Sequence, residues 1–237
     1  MVKRHPDFHK GHRDRMRKQI HEEGLEVLNE IQILESFLYN PVSRADTNEL
    51  AHVISNETGG LFAQAVTTDY EQLIKIKGVG PRIAYEFDYF RQLAKHYYTS
   101  LSIMEYNQEE HSNSNDLCNV FQNAMLGVKN EEFHVIGFDD NMHIIYEKVI
   151  SIGDPSSVAL SLRKLNELVI YKGFSKIAVG HNHPNGRFTP SIEDIEYTKK
   201  LVRHFAEINV EVVDHIIVGK GGALSMRSSI YSNGIWD

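Results

Sequence analysis

The sequence predicts an α/β fold, a mixed-sheet sandwich preceded by a small all-helical domain. Three observations carry this expectation. Apolar residues recur at helical spacing from about Asp14 to Leu101, as in LEVLNEIQILESFLY, with little strand-like alternation. A polar, Asn- and Ser-rich stretch, NQEEHSNSNDL (107–117), then interrupts the pattern. Beyond it, segments succeed one another in the order β-β-α-β-α-β, which a mixed sheet with helices packed on it satisfies.

Residues 1–105 are expected to form several short helices, 106–117 a linker, and 118–237 the α/β domain. EEFHVIGFDD and MHIIYEKVISIG read as two strands joined by a tight turn at Asp139 to Asn141. SSVALSLRKLNELVIYKG reads as a helix ending at Gly173, and SKIAVG as a short buried strand. SIEDIEYTKKLVRHFAEIN reads as a second helix and VEVVDHIIVG as a further strand.

The single cysteine, Cys118, excludes an intrachain disulfide and any cysteine-based zinc knuckle, so a metal site must use His and carboxylate. No run approaches the ~20 apolar residues that span a bilayer, and the polar first twenty residues lack a secretory apolar stretch; a cytoplasmic protein without membrane contact is expected. The formal charge of −7 argues against a generally basic, nucleic-acid-coating protein. Residues 1–20 nevertheless hold seven Lys/Arg against two Asp, a local +5 that leaves −12 for the remainder. This basic arm reads either as a solvated tail or as a phosphate contact through Arg13, Arg15, Arg17 and Lys18.

In LIKIKGVGPRIA (73–84), Gly-Val-Gly stands between two helical stretches, so that a tight turn can present backbone N–H groups at a helix N-terminus. Leu73, Ile76, Gly78, Val79, Gly80 and Ala84 resemble a helix-hairpin-helix element, which grips the DNA backbone without reading sequence. That resemblance makes Gly78, Val79, Gly80, Lys77 and Arg82 candidate DNA contacts. The other reading is a helix pair whose glycine turn only packs or docks a protein.

In HNHPNGRFTPSIED (181–194), His181 and His183 stand two apart at a strand end and therefore share a face. Two such imidazoles can share one Zn²⁺, and Asp194, brought back by a loop containing Pro184, Gly186 and Pro190, is the candidate third ligand. A His₂Asp set leaves the fourth position for water, which marks a catalytic rather than a structural ion. Ser191 and Asp194 also read as a capping box at a helix start.

The pattern His181-x-His183-Pro184, six residues, Ser191, two residues, Asp194 resembles that of the JAMM (MPN+, JAB) zinc metallohydrolases. HNHPNG, TPSIEDIEYTKKL and VDHIIVG resemble the RadC-type branch, as do the start GHRDRMRKQIHEEG and the order of the modules. The resemblance implies a JAMM/MPN, cytidine-deaminase-like sandwich, with Zn²⁺ held by His181, His183 and Asp194 and with Ser191 beside the reacting carbonyl. It also implies an acid/base glutamate at the start of the first strand; aligning Phe133, Ile136, Phe138 and Asp139 with the family's apolar strand pattern puts it at Glu131, with Glu132 as the neighbouring rival. The activity implied is hydrolysis of a peptide or isopeptide-type amide of a protein or peptide substrate, in a DNA-associated process such as repair. Asn185, where Ser is frequent, and Lys164, where an acidic residue is common, depart from the branch.

His134 reads as a strand residue and His204 as a polar position on the last helix, while Asp214 and His215 are open to a role behind the ligands. Two other classes compete. A non-enzymatic DNA or protein adaptor with structural zinc is opposed by the open fourth position. A zinc nuclease or a nucleobase deaminase is the third class, the deaminase lacking its expected PCxxC.

Overall fold

A computed structural model describes residues 11–43, 46–108, 113–152, 158–184 and 186–236, without the side chains of 158–161. The first half of the basic arm, positions 109–112 of the expected linker, and Asn185 lie outside the described residues. The chain divides into two compact units, Met1–Ala94 and Lys95–Asp237.

The first unit is helical: α1 (His12–Glu23), α2 (Glu30–Leu38), α3 (Asn48–Thr58), α4 (Phe62–Thr67), α5 (Tyr70–Leu73) and the start of α6 (Pro81–Gln108). Asn29 and Gln32 close a reciprocal cap on α2. Leu34, Leu38, Ile54, Leu73 and Phe87 make up much of the core. The second half of the basic arm is not a loose tail. It is α1, anchored by buried Met16, and Arg13 donates to the carbonyls of Val42 (2.7 Å) and Ser43 (3.1 Å) while lying over the Tyr39 ring. Short helices are found as expected except for α6, whose 28 residues start with proline at the first helical position and contain no further Gly or Pro to stop them.

From Lys95 onward α6 belongs to the second unit. The expected linker therefore overlaps two helices: 106–108 end α6, and α7 (Ser114–Ala124) begins with a capping box between Asn113 and Asp116. The Asn and Ser residues that read as loop are in part this helix start. The sheet has five strands, β1 (Glu132–Phe138), β2 (Ile144–Ile152), β3 (Lys176–Asn182), β4 (Glu211–Gly219) and β5 (Gly222–Ser225). Its order is β2-β1-β3-β4-β5, with β3 and β4 parallel and the other pairs antiparallel. In the hairpin turn Asp139 Oδ1 accepts the N–H groups of Asn141 and His143.

Alternation along the strands separates two cores. Val135, Ile177, Val179 and Val212 pack under α8 (Val158–Lys172) and α9 (Ile192–Ala206) through Leu165, Val169, Leu201 and Phe205. On the other face Ile136, Phe138, Ala178 and Ile216 meet α7 through Leu117, Val120 and Phe121, together with Tyr106 of α6. The crossover β3-α9-β4 puts the C-terminal end of β3 beside the N-terminus of α9, where ligand sites form in sheets with parallel strands.

Candidate metal centre

Both expected histidines stand at that end of β3. His181, buried at 3 % exposure, pairs with Phe133 of β1 and Ile217 of β4, so its backbone is held from both sides. His183 lies just past the strand, and its N–H donates to Val218 O at 2.7 Å. The following loop lies flat on the end of β4. A Cβ on Gly219 would stand 2.4 Å from Phe188 N and 2.5 Å from Arg187 C, closer than any side chain allows. That approach brings Arg187 O to 2.9 Å from His183 Nδ1.

The third member comes from the first turn of α9. Ser191 caps the helix: its Oγ accepts the Asp194 N–H (3.1 Å), and Asp194 Oδ2 accepts from Ser191 N–H (2.8 Å) and Oγ–H (2.7 Å). One carboxylate therefore closes the cap and faces the two imidazoles. Oδ2 serves the cap, and Oδ1 lies 3.1 Å from His181 Nε2. His183 Nε2 is 3.0 Å from His181 Nε2 and 3.4 Å from Asp194 Oδ2. Among the described residues these three form the metal-capable cluster of His and carboxylate.

A donor set around one Zn²⁺ at about 2.0–2.1 Å has ligand atoms about 3.3–3.4 Å apart at tetrahedral angles. The observed separations are close to this. Hydrogen-bond accounting makes the same case. Thr198 Oγ1 donates to Asp194 O (2.6 Å) and so accepts from His215 Nδ1 (2.6 Å). His215 Nε2 then carries no proton and accepts from His181 Nδ1–H at 2.9 Å. His183 Nδ1–H is spent on Arg187 O. Both Nε2 atoms are thus bare lone pairs facing each other beside a carboxylate, an arrangement that a shared cation satisfies.

Without an ion the same Nε2 atoms can instead carry protons toward Asp194: burial would raise its carboxyl, but hydrogen bonds from protonated His181 and His183, their charges and the Ser191 bond hold it far below the usual carboxylate range, so this carboxylate favours positive charge beside it, whether proton or cation. His183 is raised by its bond to Asp194, against burial, with help from Arg187 O and the charges of Asp194 and Glu131. Complete burial pushes the pKa of His215 down to about 3, with the His181 charge adding to it, so its neutral form is the working one.

Glu131 immediately precedes β1. The two rival glutamates diverge because alternate residues face opposite sides. Glu132 Oε2 lies 2.9 Å from His134 Nε2 and 3.5 Å from Lys95 Nζ, while His134 Nδ1 lies 2.7 Å from Glu147 Oε1. That network occupies the α7 side of the sheet. Glu131 shares its parity with Phe133, whose ring centroid is 6.2 Å from that of His215, and its charge acts on His183.

His134 is accordingly a bridging strand residue, and His204 Nε2 contacts Asn166 Oδ1 at 2.9 Å. Asp214 accepts from Ser225 Oγ, from Arg227 N–H at 3.0 Å and from its own neighbour His215 N–H at 2.7 Å, so it ties β4 to β5 and the turn beyond. Lys164 reaches Ile150 O at 3.4 Å. Sequence reasoning missed Thr198, Asn182 and the Arg187 carbonyl, none of which carries a recognisable signal in isolation.

In the helical unit Gly78 adopts a left-handed φ of 89°, and Lys77, Gly78 and Arg82 are exposed with Gly80 half-buried between them. Val79 differs from the expectation. Its side chain is in the core and its N–H donates to Ile76 O at 3.0 Å, so neither is offered to a ligand.

Residues 111–231 match the family described as the RadC-like JAB domain. Curated relatives include UPF0758 proteins from Clostridium botulinum strains Loch Maree and Hall. Each is 31 % identical over 204 residues, covering 86 % of this chain and 88 % of theirs. Among the described residues no helix is long and apolar enough to cross a membrane.

Proposed function

Because the chain belongs to the RadC-like JAB-domain family, we propose that it is a zinc metallohydrolase acting on a peptide or isopeptide-type amide. The observation that carries this reading is the convergence of His181 Nε2, His183 Nε2 and an Asp194 carboxylate oxygen. The residues fit the ion in donor type, tautomer and spacing. A bound zinc ion there supplies a water of lowered pKa and polarises the carbonyl.

The protein's own groups supply the rest. Glu131 accepts the proton of the attacking water and returns it to the leaving nitrogen. Its distinction from Glu132 is supported by the bonds that tie Glu132 to His134 and Lys95. Ser191 Oγ–H, now donated to Asp194, turns to the developing oxyanion, while its backbone N–H keeps Asp194 in place. A contact with DNA that is not sequence-specific, and with it a link to repair, is a separate part of the reading. It is supported by the exposed Lys77 and Arg82 beside the Gly78–Gly80 turn.

The test pairs metal analysis with turnover. His183→Ala should lose stoichiometric zinc, whereas Glu131→Gln should keep it and lose chelator-sensitive cleavage of ubiquitin-type isopeptide and simple peptide substrates. Zinc retained by His183→Ala under matched metal supply would refute the site. Turnover lost in Glu132→Gln but kept in Glu131→Gln would refute the assignment of the acid/base.

A further inference from the structure

The residue between the two histidines has a task of its own. The β1–β3 ladder ends at the pair Phe133–His181. One step further the backbone of Asn182 pairs with Val218 of β4, and toward β1 its side chain takes over. Asn182 Oδ1 accepts the N–H of Glu132 at 2.7 Å, and Asn182 Nδ2 donates to the carbonyl of Asn130 at 3.0 Å. These are the peptide groups on either side of Glu131. A carboxamide offers an acceptor and a donor at the spacing of a peptide group, so the side chain extends the ladder by one pair. Its orientation is settled by its partners, because an N–H requires the oxygen and a C=O requires the nitrogen.

We propose that Asn182 is a positioning residue whose two-bond clamp across Glu131 holds that carboxylate on the face of His181, His183 and Asp194. The inference rests on the reading of Glu131 as acid/base at a zinc site. The clamp's own side chain is buried, Asn182 at 4 % exposure, while its partners at 130 and 132 lie nearer the surface, so the two bonds are anchored from the inside of the sheet. The flank is fixed independently. Glu132's side chain is held on the α7 side by His134 and Lys95, and strand alternation then sends Glu131 to the other side. Without the clamp the segment preceding β1 keeps its sequence but loses the bonds that set its distance from β3. A displacement of about 1 Å at an acid/base is enough to cost about a hundredfold in rate.

The experiment needs no substrate. The full-length protein, with ¹³C-labelled glutamate side chains, is loaded with Co²⁺ in place of zinc, and the Glu131 carboxylate signal is assigned by its absence in Glu131→Gln. Proximity to the paramagnetic ion broadens that signal strongly in the natural protein. In Asn182→Asp, which keeps size but sets an oxygen against the Asn130 carbonyl, and in Asn182→Ala, the broadening at Glu131 should be largely lost. The hyperfine-shifted ring signals of His181 and His183 should persist, which a general loss of structure would not allow. Broadening at Glu131 undiminished in Asn182→Asp would overturn the clamp. Absence of broadening at Glu131 in the unsubstituted, Co²⁺-loaded protein would instead overturn the acid/base reading, and the clamp's role with it.

Discussion

His215→Leu removes the acceptor on which His181 Nδ1–H depends, and its consequences separate into two measurable parts. His215 is fully buried, so no water takes its place, and the bare His181 N–H costs about 1–3 kcal/mol as an unsatisfied buried donor. That loss falls on the metal-free protein and lowers its unfolding free energy. The second part concerns the ion. Without an acceptor at Nδ1, the proton of His181 is free to sit on Nε2, and ligand basicity falls. Partners behind a metal ligand are worth about 10- to 100-fold in affinity, or about 1.4–2.7 kcal/mol. Urea unfolding of chelator-treated protein measures the first part, and competition for zinc against a chromophoric chelator at fixed pH measures the second. His215→Gln, which restores an acceptor, should recover part of the affinity. If His215→Leu folded and bound zinc within about twofold of the natural chain, ~0.4 kcal/mol, the relay from Thr198 to His181 would have no bearing on the ion.

Two further outcomes follow from other parts of the molecule. Burial lowers the His134 pKa, but the bonds and charges of Glu132 and Glu147 outweigh it and leave it raised, so its contribution to stability is complete below the unfolded value of about 6.5 and is lost as pH rises through the folded value. Urea midpoints of the metal-free protein from pH 6 to 9 should therefore fall less in His134→Gln than in the natural chain; equal slopes would show that His134 is not held charged. At Gly80 an added Cβ meets open space and the φ is not left-handed, so Gly80→Asp should fold normally. It should weaken oligonucleotide binding by the full-length chain and reduce its salt slope by about one contact, whereas unchanged binding would place any DNA contact elsewhere.

The parts of the site legible in the sequence were those set by spacing along one element. His181 and His183 converge because strand residues two apart share a face, and Asp194 lies one turn into a helix whose start Ser191 announces. The relay from His181 through His215 to Thr198 was not legible, since it joins three elements whose register only the folded sheet fixes. The choice between Glu131 and Glu132 depends on parity at a strand end, where a slip of one residue exchanges the two faces. In the fold, α7 was hidden by its own cap, because the Asn and Ser that satisfy a helix start have the composition of a loop. The strand β5, four residues long, is too short for alternation to stand out.

Asp194 stands both in the cap of α9 and in the candidate metal cluster, and this has a physical consequence. A helix N-terminus carries partial positive charge and unpaired N–H groups, which favour an anion and oppose a cation. Asp194 answers both demands with one carboxylate. Oδ2 takes the Ser191 bonds, the Ser191 Oγ takes the Asp194 N–H, and Oδ1 remains directed at His181. The same bonds that start α9 therefore fix the carboxylate's rotamer and add to the larger effect of His181 and His183 in keeping it ionised. Thr198, one turn further along, receives the relay from His181 and passes it to the Asp194 carbonyl. Two of the three side chains of the candidate cluster are thus oriented by the first two turns of a single helix. The third, His183, is oriented by a loop carbonyl whose approach the absence of a side chain at Gly219 permits.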